Sequence, residues 1–229
     1  MRARFGMASA ETLIHSASSI GGAVKDDMAP VAFHEGNRAL QDRFDTRRIA
    51  DQIDKVLAHT VFTADDKTLI ESRDMFFLAT ADAEGRPNCS YKGGEPGFVR
   101  VVGPSTLALP NYDGNGMYLS MGNLAKNPHV GILFMDFQDP DRLRVNGEAS
   151  IHDDDPLLSE WPEAQFVVRV EAREIFPNCP RYVHKMALVE RSKFVPKESG
   201  ITPVPEWKQL PWAKDHLSTR DPARSPQNR

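Results

Sequence analysis

Hydrophobic and polar positions change their period twice along this 229-residue chain. From Phe33 to Ala58 the spacing is helical, interrupted at Asp45-Thr46. After the interruption Ile49, Ile53, Val56 and Leu57 share one face, and Arg47, Arg48, Asp51, Asp54 and Lys55 occupy the other. Thr63 reads as an N-cap with Asp65 and Asp66 in the first turn, where the helix dipole favours negative charge. A further helix is predicted from there to about Arg73.

Beyond Met75 the texture is that of strands. Met75–Ala81 predicts a buried strand, Asp82–Arg86 a hairpin turn in which Gly85 is free to take positive φ, and Asn88–Lys92 the partner strand. Phe98–Val102, Gly103-Pro-Ser and Thr106–Leu109 predict a second hairpin. Leu119–Lys126 predicts a short helix that ends before Asn127-Pro128, and Val130–Phe137 a central strand. The cleanest alternation is Arg142–Ile151: Leu143, Val145, Gly147, Ala149 and Ile151 face one way, Arg142, Arg144, Asn146, Glu148 and Ser150 the other. Gln165–Ile175 alternates with both faces mixed, which predicts a barrel rim or a subunit contact. Hairpin-linked strands at this spacing favour a closed or nearly closed antiparallel barrel over a βαβ sheet. The fold class is therefore mainly β, α+β in detail, with six or more antiparallel strands, helices in front and one short helix between strands.

Four segments follow from these patterns. Residues 1–29, rich in Ala, Ser and Gly, read as a mobile N-terminal segment. Residues 30–73 form a helical extension packed on the barrel, 74–196 the barrel itself, and 197–229 a Pro-rich C-terminal tail. Trp207 and Trp212 suggest that the tail packs down to about Leu217, and the stretch from Thr219 reads as disordered.

Composition narrows the function. A net charge of −4, from 28 basic and 32 acidic residues, leaves no clustered basic excess for nucleic acid. Mean hydropathy is −0.45, and no apolar run reaches the ~20 residues of a membrane span. No signal-peptide core precedes the helices, so the expected location is cytoplasmic. Cys89 and Cys179 form no CxxC or metal-finger spacing. His34-Glu35 fails the HExxH pattern because Arg38 stands at its end, and His152-Asp-Asp-Asp reads as a strand end with solvated acids. Cys179 and His184 supply two ligands at most; Asn178 and Pro180 there read as a helix start. No metal is expected. There is no GxGxxG after a strand and no GxxxxGK[ST], so neither a dinucleotide fold nor a P-loop is indicated.

The stretch Asn88–Pro128 holds the densest chemistry. It joins a strand of small polar residues, a Gly-rich turn, and a loop carrying Asn115, Ser120 and Asn123 into a short helix. These groups suit a phosphorylated cofactor held by neutral hydrogen bonds and one cation. The order Phe77–Ala81, Asp82–Arg86, Pro87-Asn-Cys-Ser-Tyr-Lys-Gly-Gly, Pro96-Gly-Phe-Val, Asp113-Gly-Asn, Asn123-Leu-x-x-Asn-Pro and Leu143-Arg-Val-Asn-Gly resembles the FMN-binding split barrel of the pyridoxamine 5′-phosphate oxidase-like family. It runs from about Thr68 to Arg191. Phe33-His-Glu-Gly-Asn-Arg-Ala-Leu-Gln resembles an extension in a branch of predicted flavin-nucleotide-binding proteins.

The resemblance implies a split barrel, a homodimer with FMN at the subunit interface, and a small-molecule substrate, with no nucleic acid and no membrane. It implies that Ser90, Lys92 and Gly93 approach the flavin or its phosphate, that Asn115, Ser120 and Asn123 grip the ribityl phosphate, and that Arg144 lies near the cofactor. It also brings a segment around Arg181 toward the flavin ring. The chain departs from the oxidase proper. The Ser-Arg-Lys run is replaced by Leu119-Ser120 and Gly122-Asn123, Tyr112, Gly116 and Met117 stand where some relatives have arginine, and the C-terminal Trp…Arg pattern for pyridoxal is not found. The reading is therefore flavin binding rather than vitamin B6 oxidation.

The residues fit that reading chemically. A phosphate dianion calls for several N–H or O–H donors and a cation. Lys92 supplies charge, Gly93 and Gly94 allow close backbone approach, Asn115, Ser120 and Asn123 supply donors, and the start of helix Leu119–Lys126 adds free N–H groups. Arg144 suits a positive group near the flavin N1/O2 edge. Taken alone, Asp113-Gly-Asn-Gly is also an ordinary turn, Ser120 a helix cap, Lys92 a solvated strand-end lysine, and Arg144 a surface arginine paired with Glu148. The expected function is an FMN-dependent oxidoreductase moving a hydride between FMN N5 and a small organic substrate or nicotinamide. A non-catalytic flavin carrier is the alternative, followed by a haem- or deazaflavin-binding split barrel.

Overall fold

The computed structural model describes residues 33–198 and 200–224. The segment 1–29, expected to be mobile, and residues 225–229 lie outside the described residues.

Three helices lead the described chain: α1 (Glu35–Arg43), α2 (Arg47–Leu57) and α3 (Ala64–Ser72). Capping boxes start two of them. His34 caps α1 against Gly36 and Asn37, and Thr63 Oγ1 accepts from Asp66 N while Asp66 Oδ2 accepts from Thr63 N. Asp45, at φ 52°, makes the break between α1 and α2. Neither α1 nor α2 buries a residue, and Ile49, Ile53 and Val56 stay exposed along α2. The chain joins the sheet just beyond, where His59 bridges to Ile175 and Ile70 of α3 is wholly buried.

Seven strands follow: β1 (Met75–Ala81), β2 (Pro87–Gly93), β3 (Arg100–Val101), β4 (Thr106–Asn111), β5 (His129–Asp136), β6 (Asp141–His152) and β7 (Phe166–Pro177). α4 (Leu119–Leu124) crosses between β4 and β5. Every pairing is antiparallel, in the order β2-β1-β5-β6-β7-β4-β3. The sheet curls but does not close, as a split barrel does. The expected strand at Phe98–Val102 shrinks to two residues, because Phe98 and Val99 turn into the core instead of along the sheet. The Gly-rich turn is shaped around that ring: a Cβ on Gly94 would lie 2.4 Å from Phe98 Cγ. Phe76 sits between Phe98 and Phe134, with ring centroids 5.7 Å from each, at the centre of the core.

The mixed faces of β7 have a local cause. Asn146 pairs with Glu174 but Gly147 pairs with Ala172, so Arg173 is an extra residue in β7. This bulge shifts the alternation by one: Val168, Val170 and Ala172 point into the core, and Ile175 joins them across the bulge. Gly147 is required there, since a Cβ would fall 2.2 Å from Glu171 O. Val167, on the other face, is buried against Ala108 and Trp161 in a second small cluster.

Two expectations near the C-terminus are corrected. No helix starts at Pro180; a single turn, Val183 N to Pro180 O, is followed by irregular chain whose apolar residues Tyr182, Met186, Leu188 and Val189 stay exposed, so little apolar burial is there to stabilise a helix. The tail does not lose order at Thr219. Trp207 stacks on Trp212 at 6.0 Å, α5 (Pro211–Lys214) buries Ala213, and a 3-10 turn at Pro222–Arg224 buries Ala223.

Candidate functional site

The β1–β2 register decides which residues of β2 face inward. Ser90 pairs with Leu78, and the row continues through Ile132 and Val145 to Ile175, all buried. Lys92 pairs with Phe76 in the same way. The inward face of β2 thus carries small polar and basic groups where its neighbours carry the core. As an edge strand it lies at the border of that core, and the polar groups meet a cleft instead of apolar packing.

The cleft has a volume of about 380 Å³, within the ~300–1,000 Å³ of ligand sites. β2 forms one wall, the end of β4 with Asn111 and Tyr112 another, and the loop 113–118 with the start of α4 the third. The loop is shaped by its own residues. Asn115 Oδ1 accepts from Met117 N at 3.0 Å, Gly116 takes φ 78°, and Tyr118 enters α4 at φ 49°. Gln165 Oε1 ties the walls together by accepting from Asn111 Nδ2 at 2.9 Å and from the Tyr118 hydroxyl at 3.1 Å. Across the floor, the Ser90 and Ser120 hydroxyls lie 2.7 Å apart.

The charge pattern is asymmetric. Lys92 is the single Lys or Arg among the lining residues, and no Asp, Glu or His lines the cleft. Lys92 is half-buried and forms no ion pair among the described residues; burial lowers its pKa. Burial likewise pushes the Tyr112 phenol up to about 12, so it stays a neutral donor at physiological pH. The arrangement is a set of neutral donors around one desolvated ammonium, which suits an anionic group brought in by a ligand.

Of the residues singled out from the sequence, Ser90, Lys92, Asn115 and Ser120 converge on this cleft. Gly93 lies one residue further, in a separate cavity of about 530 Å³ beside Asp74 and Arg191. Asn123 points beneath α4 and donates to Thr80 Oγ1 at 3.0 Å, fixing the helix on β1. Arg144 sits on the outer face of the sheet, in a row with Leu133, Phe77 and Tyr91, and its guanidinium lies 5.9 Å from the Phe176 ring centroid. Glu148, its expected partner, pairs instead with Arg173 at 3.5 Å. Arg181 is exposed on the irregular segment.

Tyr112, Tyr118, Asn111 and Gln165 complete the site and were not legible as members of it. Tyr112 follows strand β4 directly, precedes Asp113-Gly-Asn and stands where some relatives have arginine, so adjacency and that replacement were the available signals. Gln165 lies far along the chain, and only the β4–β7 pairing brings it to Asn111.

Residues 62–190, more than half of the chain, match the sequence profile of the family described as pyridoxamine 5′-phosphate oxidase. No curated protein matches the sequence. Among solved structures, HupZ of Group A Streptococcus is 19% identical with a TM-score of 0.42, over 55% of this chain and 99% of that one. HutZ, the heme storage protein of Vibrio cholerae, is 20% identical with a TM-score of 0.38, over 49% and 91%. An FMN-binding protein of Syntrophomonas wolfei is 13% identical with a TM-score of 0.38, over 61% and 97%.

Proposed function

The chain belongs to the pyridoxamine 5′-phosphate oxidase family, and from that premise we propose that it binds FMN in the cleft between β2, Tyr112 and the 113–118 loop, as an FMN-dependent oxidoreductase. One observation carries the reading: Lys92 is a half-buried cation without a counter-ion among the described residues, in a cleft whose described lining holds no carboxylate. An ammonium desolvated in this way is favourable only once an anion arrives, and the FMN phosphate is such an anion. Lys92 holds the phosphate charge, while Ser90, Ser120 and Asn115 donate or accept hydrogen bonds around it and along the ribityl chain. Tyr112 and Met121 offer aromatic and apolar surface for the ring system. When bound, FMN supplies hydride transfer at N5.

Lining residues offer no carboxylate or histidine as a general base. A hydride transferred from a reduced nicotinamide, or to an oxidised one, needs none, and this makes a nicotinamide or a small substrate of the same kind the fitting partner. The same observation favours a second reading, a flavin carrier without turnover of its own.

The functional unit in this proposal is a homodimer with the cleft at the subunit interface. Met117, Tyr118 and Leu119 are exposed around the cleft mouth, Tyr91 is exposed on the outer face of β2, and α2 leaves Ile49, Ile53 and Val56 unburied. Apolar surface of this extent on one chain is what a second subunit covers. Light scattering should therefore give twice the 25.6 kDa chain mass.

The discriminating experiment is anaerobic mixing of the FMN-loaded protein with NADH or NADPH. Bleaching of the flavin absorbance supports the oxidoreductase, and bound flavin that stays oxidised with every donor tried supports the carrier. A protein that does not bind FMN at all overturns both.

A further inference from the structure

Lys208 is a lysine buried to 3% exposure on the C-terminal 3-10 turn Glu206–Gln209. Its ammonium donates to Asp113 Oδ2 at 2.6 Å and to Asp221 Oδ2 at 2.9 Å. Burial pushes its pKa down, but its hydrogen bonds to both carboxylates and their charges outweigh burial and raise it, so Lys208 is charged. Asp113 opens the loop whose next three residues, Gly114, Asn115 and Gly116, line the cleft. The ion pair therefore fastens the site loop to a segment 95 residues later in the chain.

Both ends of this contact differ in firmness. Around Lys208 the strap is compact: Trp207 stacks on Trp212 at 6.0 Å, Ala213 and Ala223 are buried, and Ala223 N donates to Asp221 Oδ1 at 2.8 Å. Residues 113–119, by contrast, are all exposed and contain two glycines. Little apolar packing holds that loop, and its other tether to a distant residue is the neutral bond from Tyr118 to Gln165. A charged hydrogen bond from a buried ammonium is the strongest anchor such a loop has.

We propose that Lys208 is a positioning residue for the cleft: the C-terminal strap holds the 113–118 loop in place through Asp113, and a ligand in the cleft in turn tightens the strap. The two effects are the two sides of one coupling free energy. The ligand half of the proposal rests on the FMN reading; the strap–loop coupling does not. Removing the ammonium leaves Asp113 and Asp221 facing one another without a cation, so loop and strap separate.

Amide hydrogen exchange on the full chain without ligand tests this, in wild type, Lys208→Met, Lys208→Arg and Asp113→Asn. The expected result is exchange about tenfold faster across 113–118 in Lys208→Met and Asp113→Asn, with β1 and β5 protected as in wild type and Lys208→Arg close to wild type. FMN affinity, measured on the same proteins, should fall about tenfold in the first two. Should Lys208→Met lose protection across the whole sheet, Asp113→Asn decides, because Asp113 is exposed and its removal leaves the buried lysine with Asp221. Wild-type exchange across 113–118 in Asp113→Asn overturns the proposal. If wild type binds no FMN, the flavin reading falls, and the exchange data alone judge the strap.

Discussion

Lys92→Met removes the one ammonium that lines the cleft while keeping most of the side-chain volume. Two unit charges about 3 Å apart at an effective dielectric near 20 attract by roughly 5–6 kcal/mol. Most of that is offset by stripping water from phosphate and ammonium, and a hydrogen bond to a charged group is worth about 1.5–3 kcal/mol net. At 1.4 kcal/mol per decade, Lys92→Met should weaken FMN binding roughly 10- to 100-fold. The variant should not unfold. Burial lowers the pKa of Lys92 in the ligand-free protein, so the charge there is a burden on the folded state rather than a support. Its thermal midpoint should equal or exceed that of wild type. The pH dependence follows from the same shift: wild-type affinity should decline as pH rises toward the lowered pKa, at values below an ordinary lysine's 10.5. Quenching of FMN fluorescence, titrated at several pH values and salt concentrations, reads all of this. Affinity within twofold of wild type, with an unchanged salt dependence, would show that the phosphate is not held by Lys92.

Ser90→Ala and Ser120→Ala, combined in a double-mutant cycle, should show coupling in FMN affinity, because the hydroxyls lie 2.7 Å apart and act as one unit; strictly additive effects would separate them. Gly147→Ala should destabilise the fold by about 2–3 kcal/mol in urea unfolding, since its Cβ would enter the Glu171 carbonyl at the β7 bulge; an unchanged midpoint would refute the bulge geometry. His59 donates to Leu57 O at 2.9 Å and meets Asp66 Oδ2 at 2.8 Å. Burial pushes its pKa down, but Asp66 and the Leu57 carbonyl raise it above 6.5, while the same contact lowers that of Asp66 below 3.8 against its own burial. The pair's stabilisation is therefore full between those ordinary values, and is lost as pH rises through the raised His59 pKa or falls through the lowered Asp66 pKa. His59→Gln should flatten the decline in urea midpoint as pH rises above the ordinary histidine value of 6.5; an identical decline would place the titration elsewhere.

Most of the fold was legible because local chemistry and tertiary structure agree. The Thr63 cap, the Asp82–Arg86 hairpin with Gly85 at φ 81°, and the stop at Asn127-Pro128 are short-range signals that the packed chain keeps. The β7 bulge was not legible: its cause is the fit of Gly147 against the Glu171 carbonyl on a neighbouring strand, and the period of β7 alone shows just mixed faces. The candidate site divides along the same line. Ser90, Lys92, Asn115 and Ser120 lie within a short stretch whose residue types betray the cleft. The position of Arg144 depends on register, and that of Asn123 on how α4 sits against β1. Alternation put Arg144 opposite Leu143 and Val145, but which face meets the cleft is set by the pairing of Ser90 with Leu78 and of Ile132 with Val145. Gln165 and Lys208 reach the site walls from far along the chain through pairing and burial, which no local pattern announces.

The central claim, an FMN site built around Lys92, is most directly tested by the absorbance spectrum and bound-flavin content of the purified protein after incubation with FMN and, separately, with haemin. One FMN should bind per chain, with its spectrum shifted from that of free flavin and its retention lost in Lys92→Met. A protein that gains no flavin absorbance, or that takes up haemin alone, would contradict it.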